Sequence, residues 1–241
     1  MKAAAYWITV GLGLMVVGFY GLLMIGTLFF RPYWIAAGSM KPTLLVGDYV
    51  TVDWSAYLRS TPQRGDVVMF QHPATGPVFV KRIIGLPGDS VEMQNGRVIL
   101  NGTPLALEND GAFIERYERQ GPAGHLPRCA NGALEIGMPC LAARQRETLP
   151  EGRSHALRDI NPDSPLDTAA QVLVPQGEYF VLGDNRDNSR DSRTPQHSGG
   201  LGTIPQSALK GRAKFILFSS FGQSIWTPWT WRKDRLMKDI Q

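Results

Sequence analysis

The sequence predicts a mainly β protein: a single N-terminal membrane-spanning helix, then an antiparallel β domain interrupted by an inserted lobe of strands and loops. Three observations predict this. Positions 6–30 carry no charged side chain. Beyond position 39 the chain breaks into short apolar and β-branched runs cut by Gly, Pro, Asn and Asp. No sustained amphipathic helical pattern follows the first thirty residues. The predicted order is an N-terminal segment (1–5), an anchor (6–30), the first half of a core (31–104), an inserted lobe (105–174), the second half of the core (175–222) and a Trp-rich, basic tail (223–241).

The anchor rests on length. At 1.5 Å per residue, a helix of about 25 residues reaches roughly 37 Å, enough to cross a bilayer core of about 30 Å with some tilt. Tyr6 and Trp7 at one end, and Tyr33 and Trp34 at the other, suit the two interfaces. A cleaved leader is the competing reading, because Ala36, Ala37 and Gly38 follow the apolar run. Leader cores of about 7–15 residues are far shorter than this one. Lys2 and Arg31 flank the run on opposite sides, so charge does not orient it.

The core strands follow in order: "DYVTVDW", "DVVMFQH", "VFVKRIIG", "SVEMQNGRVILNG", "EYFVLGD" and "GRAKFILFS". Within "MQNGRVIL" the Asn-Gly pair marks a two-residue hairpin turn. The 105–174 stretch is rich in Gly, Pro and charge and is expected to hold weaker strands. Its two cysteines, Cys129 and Cys140, fit either a disulfide closing a surface loop in an oxidising compartment or two free thiols. In the tail, Trp226, Trp229 and Trp231 beside basic residues fit either a small core patch or a surface resting on a membrane interface.

Composition narrows the function. The 241 residues, 43% hydrophobic, suffice for an anchor plus one domain of roughly 200 residues. A net charge of +4, with scattered basic residues and no aromatic interleaving, gives no support to nucleic-acid binding. His72, His125, His155 and His197 show no metal spacing, and Asp187-x-Ser189-x-Asp191 lacks the later Gly and Glu of a calcium loop. No metal or cofactor is expected. There is no Gly-x-Ser-x-Gly elbow, and "SALK" (207–210) lacks the companion motifs of penicillin-binding enzymes.

Three elements carry possible chemistry. In "PVFVKRIIG" a period of two puts Phe79, Lys81 and Ile83 on one face and Val80, Arg82 and Ile84 on the other. Both faces are otherwise apolar, so at least one cation sits among hydrophobic neighbours. A desolvated lysine can become a neutral base where arginine cannot, although a lysine on an edge strand simply reaches solvent. Ser39 follows Gly38, which permits close backbone approach and a free amide, but Gly-Ser is also ordinary loop composition. "LGDNRDNSRDSR" (182–193) alternates acids and arginines and reads most simply as an ion-paired loop.

Together, "GSMKPTLLVGDYV", "RGDVVMF", "VKRIIGLPGD" and "GDNRDNSRDSR", in this order after an apolar span, resemble the type I signal peptidases (leader peptidases). The resemblance covers roughly 35–100 and 175–215. It implies a signal-peptidase-like β catalytic domain and a membrane-bound serine endopeptidase with a Ser-Lys dyad. Such an enzyme removes signal peptides from exported preproteins at small-x-small sites, on the outer face of the bacterial cytoplasmic membrane. It implies Ser39 as nucleophile and Lys81 as general base, Ser189 orienting that lysine, and Asp191 with Arg193 as a structural ion pair. Ile35, Ala36, Met40, Leu44, Phe79 and Val80 would line the substrate pockets. Implied partners are preproteins and the lipid bilayer, with the export translocon as a further candidate.

Two positions depart from the family pattern. Many relatives carry Pro-Ser where this chain has Ala36 and Ala37, and that serine hydroxyl helps hold the oxyanion. Here the Ser39 amide, with a water, is expected to carry it. After Arg193, "TPQHSGGLGTIP" is longer and richer in Gly than the aromatic-containing segment common in relatives. Competing readings are a dedicated maturation peptidase of a conjugation or secretion system and an inactive scaffold that binds signal peptides. Self-cleaving repressors of the SOS type share the dyad but carry a DNA-binding module where this chain has its apolar span.

Overall fold

The computed structural model describes residues 2–72, 76–221 and 228–240. Helix α1 (Lys2–Phe29) covers the charge-free stretch. The span expected over 6–30 is not carried by the described part of that helix. Among the described residues no helix is long and apolar enough to cross a membrane.

Strand β1 (Phe30–Trp34) leaves the helix and pairs with β2 (Asp48–Asp53), Trp34 opposite Tyr49. Strands β3 (Val67–Gln71) and β4 (Val78–Gly85) pair next, placing Val68 opposite Lys81. Strands β5 (Ser90–Gln94) and β6 (Arg97–Leu100) form the hairpin expected from Asn-Gly. Asn95 and Gly96 sit at φ 47° and 74°, the left-handed pair a type I′ turn requires. A short β7 (Thr103–Pro104) extends that sheet.

Within 105–174, β8 (Ala106–Arg116), β9 (Pro139–Thr148) and β10 (Ser154–Asp159) build a separate three-stranded sheet, while β11 (Ala169–Leu173) pairs with β5. Strands β8 and β9 are 11 and 10 residues long, not the weak strands expected. They lack an apolar alternation, and cross-strand pairs such as Arg144 and Arg146 on Asp110, each at 3.0 Å, support the ladder instead. The disulfide Cys129–Cys140 closes the loop between them.

Strands β12 (Glu178–Leu182), β13 (Ile204–Pro205), β14 (Leu209–Ser219) and β15 (Lys238–Asp239) complete the large sheet. Its order is β1-β2-β14-β3-β4-β12-β13, with β15 on β14. Three apolar clusters pack against these sheets, and β4 touches all of them. Ile83 joins Val68, Phe70 and Val181; Ile84 joins Val91, Met93 and Phe180; Val80 leans on Ile35, Met40 and Leu44. In the tail, Trp229 is exposed and does not form a core patch, Trp231 stacks at a tilt on Phe218, and Trp226 lies outside the described residues.

Candidate active site

Strand β4 carries two adjacent cations into the interior, one on each face, as its alternation requires. Lys81 is 2% exposed and Arg82 1%. Arg82 is satisfied by a forked pair to Asp184, Nε to Oδ1 at 2.9 Å and Nη2 to Oδ2 at 2.7 Å, with Nη1 on the Gly65 carbonyl at 2.9 Å. Among the described residues, Lys81 has no carboxylate in contact. Its Nζ lies 2.7 Å from Ser39 Oγ, 3.1 Å from the Val80 carbonyl oxygen and 5.8 Å from the centre of the Phe79 ring.

Burial pulls the Lys81 pKa down from its ordinary 10.5 to about 8. The Asp191 and Asp184 carboxylates oppose that fall, and the Arg193 guanidinium adds to it. A lysine in this state is partly neutral near physiological pH. Beside a serine hydroxyl at hydrogen-bond distance, it can take the hydroxyl proton.

The turn that carries Ser39 is held from the far end of the chain. Asn185 N–H donates to the Ser39 carbonyl at 3.1 Å, and its side-chain amide donates to the Gly38 carbonyl at 2.8 Å. Thr43 Oγ1 donates to Asp184, so the Arg82–Asp184 pair links the serine turn, β4 and the 183–185 segment. From the inserted lobe, Glu115 on β8 and Gln120 in the loop after it receive Lys41 Nζ, two residues beyond Ser39.

The acid–arginine loop is ion-paired, as its composition suggests. Arg193 grips Asp191 with two bonds of 2.9 Å, both side chains being buried. Burial would push the Asp191 carboxyl up, but Arg193, Ser189 and the Gly183 amide more than offset it and hold it below the usual carboxylate range. Ser189 Oγ is buried near Asp191 and makes no hydrogen bond of regular geometry among the described residues. Lys81 is not its partner.

A groove of about 700 Å³ opens beside Ser39 and Lys81. Of the expected lining residues, Ile35, Ala36, Met40, Phe79 and Val80 border it. Leu44 does not: it is fully buried beneath, packed with Ile35 and Met40. Tyr33, Trp34, Val78 and Arg190 also border the groove and were not anticipated. The alternation of β4 could have placed Val78, two residues before Val80. Nothing local to Asn185 or Asp184 signals their hold on residues 38–43, which spans more than a hundred residues of sequence.

Comparison with known proteins places this chain in a family. The model of the signal peptidases, peptidase S26, matches residues 5–218. A signal peptidase I of Aquifex aeolicus is 33% identical over 219 residues, covering 82% of this chain and 81% of its own. That of Rickettsia typhi is 30% identical over 225 residues, covering 82% and 75%. A crystal structure of a signal peptidase I from Enterococcus faecalis aligns with 64% of this chain and 97% of that one, at 26% identity and a TM-score of 0.33. By the extent of the family match and of these relatives, this chain belongs to the signal peptidase family, peptidase S26, and is a serine endopeptidase.

Proposed function

We propose that this protein removes N-terminal signal peptides from exported preproteins, with Ser39 as nucleophile and Lys81 as general base. One observation carries the mechanism: a buried lysine, its pKa lowered to about 8, lies 2.7 Å from a serine hydroxyl on the floor of an apolar groove. Ser39 Oγ attacks the scissile carbonyl while neutral Lys81 takes its proton. Lys81 then delivers that proton to the departing amine, leaving an ester on Ser39. A water, losing a proton to Lys81, hydrolyses the ester and frees the signal peptide. The Ser39 amide, with a water, steadies the oxyanion in place of the hydroxyl that Ala37 lacks. Small lining residues such as Ala36, and the flanking Phe79 and Val80, suit small side chains before the cut.

The enzyme is anchored by α1 in the bacterial cytoplasmic membrane with its β domain outside. This part of the reading is supported by the sequence, where positions 6–30 are free of charge, and by the bacterial relatives named above. Asp191 and Arg193 act as a strut for the 182–193 loop, and Ser189 supports Asp191. The test is cleavage of a preprotein with an Ala-x-Ala site by detergent-solubilised wild type, Ser39→Ala and Lys81→Ala. Cleavage at that site by wild type alone is expected. Turnover surviving in Ser39→Ala identifies another nucleophile and refutes the mechanism.

A further inference from the structure

We propose that Arg190 makes the groove selective for substrates with an acidic side chain close to the scissile bond. This rests on the reading of Ser39 and Lys81 as the dyad. Among the described residues bordering the groove, only Lys81 and Arg190 carry a formal charge; the remainder are largely apolar, including Pro32, Met40, Val78 and Phe79. The two cations differ in kind. Lys81 is buried and lowered in pKa, whereas Arg190 is an exposed guanidinium.

The other arginines of the same loop are committed. Arg186 pairs with Glu147 at 2.8 Å, and Arg193 grips Asp191. Arg190 has no ion pair or hydrogen bond among the described residues. Its backbone is nonetheless fixed, because its neighbours Ser189 and Asp191 are buried at 8% and 2% exposure. A free guanidinium on a fixed base, at the edge of an apolar groove, is a site for a carboxylate.

The arrangement also answers a chemical difficulty. A bare carboxylate bound near Lys81 favours its protonated form and so removes the base. Pairing that carboxylate with Arg190 cancels its field. An extended peptide is the occupant the reaction requires, so the anion belongs to the substrate chain and not to a lipid headgroup.

The test uses Ala-x-Ala peptides with Glu or Lys placed in turn at each position from the third before the cut to the second after it. Wild type, Arg190→Gln and Arg190→Glu are compared by kcat/KM, and peptide binding is measured in the Ser39→Ala background. At one position wild type favours Glu over Lys by about two- to fivefold, the size of a partly exposed ion pair. Arg190→Gln flattens that ratio and Arg190→Glu inverts it, in turnover and in binding. A ratio unchanged in all three proteins at every position overturns the proposal. So does an effect of Arg190→Gln confined to assays with phosphatidylglycerol vesicles. Charge-selective binding without turnover sinks the dyad reading and leaves Arg190 standing.

Discussion

Replacing Phe79 by Ala tests whether desolvation sets the strength of the base. The ring lies 5.8 Å from Lys81 Nζ, stacks on Phe70 at 6.0 Å and forms part of the wall that keeps water from the amine. Burial is the largest influence on Lys81, taking it from 10.5 to about 8. At pH 7 about a tenth of the lysine is then neutral and able to accept the Ser39 proton. Each tenfold loss of that fraction corresponds to about 1.4 kcal/mol of restored hydration of the ammonium, which a water replacing the ring can supply. The rate rises with pH as Lys81 loses its proton, so Phe79→Ala moves the midpoint upward. The assay is single-turnover cleavage of a fluorogenic Ala-x-Ala peptide from pH 6 to 10.5, single turnover separating chemistry from weaker substrate binding. The expected result is a roughly tenfold loss at pH 7 that closes above pH 10. A loss of equal size at every pH, with the midpoint still near 8, refutes the argument.

Four further outcomes are expected. Lys81→Met abolishes activity but raises Tm at pH 7: a lysine with a lowered pKa destabilises the fold below about pH 8, and the gain shrinks as pH climbs toward 10.5, in thermal melts across that range. Gly183→Ala places a Cβ 2.6 Å from the Ser39 carbonyl oxygen and 2.5 Å from Ser189 Cβ, so kcat falls at least tenfold while a circular dichroism spectrum stays β-rich. Arg82→Met strands the buried Asp184 carboxylate and costs about 3–5 kcal/mol in urea unfolding; an unchanged midpoint counts against the pair as a structural tie. Ala37→Ser is neutral or activating, because it adds a donor where an oxyanion contact is worth about 2.7–4 kcal/mol elsewhere, and a clear loss of kcat contradicts that placement.

Legibility in the sequence followed the range of the interaction. Strand β4 could be read closely, since its two-residue alternation and apolar neighbours already put at least one of Lys81 and Arg82 among hydrophobic side chains, and the fold buries both. The Asn95-Gly96 hairpin was equally plain, because its turn is specified by two adjacent residues. Strands β8 and β9 hid, as backbone pairing and charge across the ladder hold them together and their few buried side chains include no large apolar run. At the candidate site the serine and lysine were ambiguous in their local contexts, and the four ordered family motifs singled them out. Asn185 and Asp184 did not stand out, because what they hold lies at residues 38–43 and only the folded chain brings it near. Leu44, which the family resemblance implies as a pocket residue, is fully buried and packs with Ile35 and Met40 beneath the groove.

The placement of β14 has a consequence for synthesis. In the large sheet it lies between β2 and β3, so the half that follows α1 and carries Ser39 meets the half that carries Lys81 through a strand made late, at 209–219. Residues 183–185, which hold the serine turn, also emerge late. A nascent chain that has exposed both Ser39 and Lys81 therefore still lacks the scaffold that sets them 2.7 Å apart. Chain closure over such distances is slow and comes near the end of folding. The contact between Ser39 and Lys81 is thus complete only once nearly the whole chain has been made.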